Sequence, residues 1–145
     1  MERNMSESKV EMSEELAMEE VRRWAEMNDI DLTVRNADGE RVMDAAVPKL
    51  AAQVRGGRLA LNDEGEFVYT VSEKSPAGFA GEKITFKTPT GAAYMAMDNY
   101  KDTQAVHKLM AFASAMTGKD VSWFSKLANQ DYKVVQSIAG FFIAG

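Results

Sequence analysis

Residues 58–71 read Arg58-Leu59-Ala60-Leu61-Asn62-Asp63-Glu64-Gly65-Glu66-Phe67-Val68-Tyr69-Thr70-Val71. Two runs able to form strands flank an Asn/Asp/Gly turn, the pattern of a β-hairpin. In a strand alternate residues share a face, so Leu59 and Leu61 fall together, as do Phe67, Tyr69 and Val71. After a loop marked by Ser75-Pro76, Gly78 and Gly81, the run Lys83-Ile84-Thr85-Phe86-Lys87 alternates polar and apolar residues and reads as a third strand.

On both sides of this block the spacing turns helical. Upstream, Ser13 is placed to cap a helix whose first turn carries Glu14 and Glu15, at the end that favours negative charge. Ala17, Val21, Trp24 and Asn28 form its stripe, and Asn28-Asp29 closes it. Ile30, Leu32 and Val34 alternate and predict a short strand before the turn Asn36-Ala37-Asp38-Gly39. Val47 to Gln53 reads as a short helix with Pro48 in its first turn, stopped by Gly56-Gly57. Downstream, Thr88 is placed to cap a helix over 89–100 with Pro89 first, and Asp102 to cap another over roughly 103–117. In that second helix Val106, Leu109, Met110, Ala113 and Met116 recur at helical spacing, and Gly118 follows as the terminating glycine. Val121 to Phe124 is a short apolar turn. Asn129 opens a last helix with Tyr132, Val135, Ile138, Ala139 and Phe142 in its stripe. Strands and helices occur in blocks rather than in alternation, which predicts an α+β fold: an N-terminal helix, a small antiparallel sheet with a β-hairpin, and a C-terminal helical bundle. The expected organisation is a frayed or disordered stretch over 1–12, a helix and hairpin region over 13–72, and a strand followed by helices over 82–145, acting as one unit or as a body with an appended module.

Composition narrows the chemistry. The chain has 145 residues, 46% of them hydrophobic and 27% charged, values ordinary for one globular domain. It has no cysteine, which excludes disulfides, thiolate nucleophiles and Cys-ligated zinc. A single histidine, His107, excludes a two-histidine metal site within one chain. His107 has only Thr103 one turn back and Asp102 nearby, a common surface pairing, and carboxylate pairs such as Glu15 and Glu19 lie on an exposed helix face, without the burial that acid–base work needs. No glycine pattern matches a phosphate-binding loop. The expectation is no enzyme, no metal and no cofactor. No apolar run is long enough to cross a membrane, and the opening Met-Glu-Arg-Asn carries no apolar stretch, so a cytoplasmic protein is expected. Residues 1–30 hold four basic and nine acidic residues, equal to the whole net charge of −5. An acidic end on a neutral body repels phosphate and anionic lipid, which argues against nucleic acid and membrane surfaces as partners. It reads as a solvated helix face or as an arm for a basic surface.

Ten methionines form the other departure from common usage. Flexible thioether side chains fill cores, and they also line grooves that accept varied apolar helices. Phe141 and Phe142 point about 100° apart on a helix, so both need burial, in the core or against a partner.

The run Lys83-Ile84-Thr85-Phe86-Lys87-Thr88-Pro89-Thr90-Gly91-Ala92-Ala93-Tyr94-Met95-Ala96-Met97-Asp98 resembles the phage tail assembly chaperones of the Mu- and P2-like type, in which a basic strand enters a helix through a Pro-Thr-Gly turn. The resemblance continues through Ala115-Met116-Thr117-Gly118, the Asp131-Tyr132 opening of the last helix and the closing pair Phe141-Phe142, and it covers residues 82–145. It implies a non-enzymatic protein that binds the tape measure protein, keeps it soluble during tail assembly and yields it to the tail tube protein. Self-association is expected as well. Tyr94, Met95, Met97, Met116, Trp123, Phe141 and Phe142 are the candidate partner-contacting residues. The rival expectation is a phage tail or connector structural subunit in which the hairpin joins neighbouring sheets. A third is a regulatory or host-interaction module that uses the acidic helix.

Overall fold

The computed structural model describes residues 12–144. The expectation for 1–12 therefore lies, apart from Met12, outside the described residues. The order is α1 (Glu14–Met27), α2 (Ala46–Arg55), β1 (Leu59–Leu61), β2 (Phe67–Thr70), β3 (Lys83–Phe86), α3 (Gly91–Ala96) with a 3-10 turn (Met97–Asn99), α4 (Ala105–Thr117), α5 (Val121–Phe124) and α6 (Asn129–Ala144). The fold is α+β.

Helix α1 begins where its sequence permits: the Ser13 hydroxyl accepts from the Leu16 N–H at 3.1 Å. It ends in a Schellman-type cap. Ile30 N–H donates to the Ala25 carbonyl, Asp29 N–H donates to Glu26, and Asp29 itself sits at φ +56°. Ile30 is thereby folded under the helix end and buried. The predicted strand over 30–34 does not form. Ile30 belongs to the cap, and the Asp31 carboxylate accepts from both the backbone N–H and the hydroxyl of Thr33, a local turn that competes with extended pairing. Only an isolated bridge between Arg35 and Arg41 remains.

That bridge and the main hairpin are closed by the same device. In Asn36-Ala37-Asp38-Gly39-Glu40 the Asn36 Oδ1 accepts from the N–H groups of Asp38 and Glu40. In Asn62-Asp63-Glu64-Gly65-Glu66 the Asn62 Oδ1 accepts from Glu64 and Glu66 in the same way. Gly39 and Gly65 take the left-handed conformation that the loop requires. Gly65 is doubly constrained, because a Cβ there would stand 2.9 Å from Met27 Cε. Its carbonyl also accepts from Asn28 Nδ2 at 2.8 Å, which ties the turn to the end of α1.

The sheet is antiparallel in the order β1-β2-β3, with Leu59 opposite Tyr69, Leu61 opposite Phe67, Phe67 opposite Phe86 and Tyr69 opposite Ile84. Leu59, Phe67, Tyr69, Ile84 and Phe86 are buried, whereas Ala60, Val68, Thr70 and Thr85 on the other face are not. One sheet face therefore carries the core, and the helices cover it. At the centre lies Trp24. Its ring stacks on Phe67 at 4.7 Å and meets Phe141 and Phe142 edge-on at 5.6 and 5.4 Å. Residues on both sides of 72–82 thus share one core.

Two helix starts differ from expectation. Thr90, not Thr88, caps α3 by accepting from Ala92 N–H. Thr88 precedes a proline, a position that disfavours the helical conformation, and its hydroxyl donates to Asn28 Oδ1 at 2.6 Å instead. Helix α4 begins at Ala105, because Asp102 turns to Lys108 Nζ at 2.7 Å rather than to the helix N–H groups. The expected terminator holds: Gly118 lies at φ +78° and donates to the Ser114 carbonyl.

Truncating Trp24 removes the ring shared by α1, β2 and α6. Trp24→Ala is expected to lower the unfolding free energy by about 3–5 kcal/mol. In urea denaturation the loss should register together in far-UV circular dichroism and in the fluorescence of the remaining Trp123. A loss under about 1 kcal/mol would mean that the aromatic cluster is peripheral.

Candidate functional site

The seven candidate contact residues separate into three groups. Met116, Phe141 and Phe142 are buried in the chain's own core and present no surface to a partner. The reason is the aromatic cluster: Trp24 takes both phenylalanines, and Phe142 also lies near Phe112 at 6.4 Å. Met97 and Trp123 are half-buried, Trp123 against Phe79 at 5.3 Å with Lys119 Nζ 4.7 Å from its ring centre. Tyr94 and Met95 remain exposed on α3, Met95 by 70%. Tyr94 leans edge-on against Phe112 at 4.9 Å, so its ring is anchored while one side faces solvent.

A second apolar surface lies outside the seven candidate residues. Between α4, α5 and the start of α6 runs an open groove of about 510 Å³, lined by Val106, His107, Met110, Val121, Ser125, Leu127, Asn129 and Tyr132. Val106 and Met110 are one helical turn apart and so share a wall, and Tyr132 stands across from them. Val106 is 52% exposed despite its place in the apolar stripe of α4. His107 stacks on Tyr100, with ring centres 5.6 Å apart, and no carboxylate or hydroxyl of the described residues hydrogen-bonds to it. It therefore lacks the partner that a general base needs. Among the described residues no group of three or more His, Asp or Glu side chains is placed to hold a metal ion. No helix of the described residues is long and apolar enough to cross a membrane.

The polar residue that sequence reading missed is Asp131. It has no solvent exposure, yet it lies in the first turn of α6. Its Oδ1 accepts from the Tyr69 hydroxyl at 2.5 Å and the Ser72 N–H at 3.0 Å. Its Oδ2 accepts from the Ser72 hydroxyl at 2.8 Å and the Ser75 hydroxyl at 2.6 Å. Ser75 Oγ in turn accepts from Ala128 N–H at 2.7 Å. Burial alone would raise the carboxyl pKa. The bonds from Ser75, Tyr69 and Ser72 outweigh it and hold the carboxylate below the usual aspartate range. The reciprocal effect acts on Tyr69, whose hydroxyl is pushed well above the ordinary tyrosine value by burial and by the adjacent carboxylate. A carboxylate saturated by donors and sealed from solvent does no acid–base chemistry on a substrate. It fixes α6 to the end of β2 and to the loop that follows.

No protein-family model, no curated protein and no solved structure matches the chain.

Because the folded pKa of Asp131 is depressed, the stability it contributes is present above the unfolded aspartate value, about 3.9, and is lost as pH falls through the lower folded value. Tyr69 adds the opposite limb: its contribution is complete below about pH 10 and is lost as pH rises through the raised folded value. Tyr69→Phe is expected to cost about 1.5–3 kcal/mol at neutral pH, the range for a bond to a charged group. Urea titrations across pH check both statements. Asp131→Asn should flatten the acid limb relative to the parent protein, and an unchanged acid limb would contradict the assignment.

Proposed function

We propose that the protein is a phage tail assembly chaperone that binds apolar helical stretches of the tape measure protein in the host cytoplasm and keeps them soluble until the tail tube displaces it. The observation that carries this reading is the open groove of α4, α5 and α6, apolar on its walls and bordered by the exposed Val106. Met95 on the neighbouring α3, 70% exposed, supplies a side chain that re-packs against different partner surfaces, while Met110 is buried at the base of the groove. A chaperone of a long helical client needs many shallow contacts rather than one tight one, because weak sites repeated along a chain give avidity and can still be stripped. The resemblance over 82–145 supports the same reading, and Asp131, at the Asp-aromatic opening of the last helix, anchors the helix that forms one wall of the groove.

The test is co-expression with the tape measure protein of the same phage, reading the soluble client fraction and its co-elution. Val106→Asp and Met95→Asp place a charge in the apolar contact and are expected to reduce client capture by about tenfold or more, with an unchanged melting temperature. Full capture by both folded variants would overturn the proposal.

A further inference from the structure

We propose that a second groove, between α2 and α6, is a self-association site that receives the acidic helix α1 of another copy of this chain. The groove has a volume of about 400 Å³, and Lys49 on α2 and Lys133 on α6 stand on its rim above Leu50 and Val134. The same two lysines border an adjoining groove with Leu109, so both belong to one continuous surface. Helix α2 contains no acidic residue, and the only acidic residue of α6, Asp131, is buried. Among the described residues neither Lys49 nor Lys133 forms an ion pair with a carboxylate. An acidic chain of net charge −5 thus carries a positive, partly apolar groove whose two lysines are not paired with any carboxylate of the described residues.

Helix α1 has the complementary chemistry. Arg22 and Arg23 pair with Glu19 and Glu20 one turn earlier, leaving Glu14 and Glu15 outside those pairs. Beside them Leu16 is 61% exposed, an apolar side chain next to two carboxylates at the start of the helix. That arrangement matches two lysines flanking an apolar floor. Within one chain α1 packs its buried face, with Ala17, Val21 and Trp24, into the core beside α2, which leaves its outer face to meet a second molecule. Donor helix and receiving groove are different surfaces, so two copies pair by exchanging α1 reciprocally, or several join head-to-tail into chains or closed rings. Exposed ion pairs are individually weak, so the association is concentration-dependent and salt-sensitive. This inference does not depend on the client groove.

Sedimentation velocity on the full chain tests it. The parent protein should assemble as its concentration rises, with apparent affinity falling about tenfold between low salt and about 0.5 M salt. Lys49→Glu/Lys133→Glu and Glu14→Lys/Glu15→Lys should each be monomeric alone, because each sets like charges against each other. Mixed in equal amounts, the two should assemble again, since each groove then meets an oppositely charged helix. Circular dichroism confirms that each variant is folded, and Lys49→Gln/Lys133→Gln serves as a milder replacement where a reversal unfolds the chain. A parent protein that stays monomeric throughout, assembly that survives the lysine reversal in folded protein, or no recovery on mixing overturns the proposal. Capture of an acidic helix from another protein by a monomeric parent does so as well.

Discussion

One buried carboxylate holds the molecule's two parts in register. Asp131 gathers four donors from Tyr69 on β2 and from Ser72 and Ser75 in the loop that follows, while Ser75 reaches on to Ala128 just before α6. Apolar packing alone is non-directional and would allow α6 to rotate or slide on the sheet. A charge-assisted cluster with fixed geometry allows one position. A buried charge is costly unless its bonds are satisfied, and here both oxygens are. The position of Asp131 in the first turn of its helix adds the favourable field of the helix N-terminus.

Everything proposed about binding inherits that fixed position. Both grooves use α6 as a wall, one through Asn129 and Tyr132 and the other through Lys133 and Val134. The rotation that turns Asp131 toward the sheet also sends Phe141 and Phe142 into contact with Trp24, three turns further along. Residues whose size and apolarity suggest a sticky exterior thus become the centre of the core. The adaptable surface passes to Val106 at the rim of the groove and to Met95 on α3.

The local grammar of the chain is visible in its residues wherever one side chain or one backbone angle decides the outcome. Ser13 caps, Gly118 terminates, and Asn62 with Gly65 closes the hairpin. The turn 36–40 repeats the hairpin's Asn-x-x-Gly-Glu spelling and its geometry, a parallel that the residue letters alone already carry. What escaped depends on contacts far apart in the chain. Thr88 looks like a cap until Asn28, 60 residues away, takes its hydroxyl. Asp131 looks like an ordinary acid in a first helical turn, because its donors lie 56 to 62 residues upstream. Ile30, Leu32 and Val34 alternate as a strand does, but the cap of α1 claims the first, and of the others only Val34 is paired, its carbonyl accepting from Val42 N–H beside the isolated Arg35–Arg41 bridge. The lining of the groove was equally hidden: apolar letters at helical spacing do not say whether a neighbouring helix covers them, and Val106, in the first turn of α4, stays 52% exposed.

The most direct measurement is a pH titration of the Asp131 side-chain carboxyl carbon by NMR in the intact protein. An ionised hub keeps the carboxylate signal through the ordinary aspartate range and loses it only as the fold opens in acid. A signal that titrates at or above the ordinary aspartate value while the protein remains folded would contradict the account, since the donors around that carboxylate would then not be holding its charge.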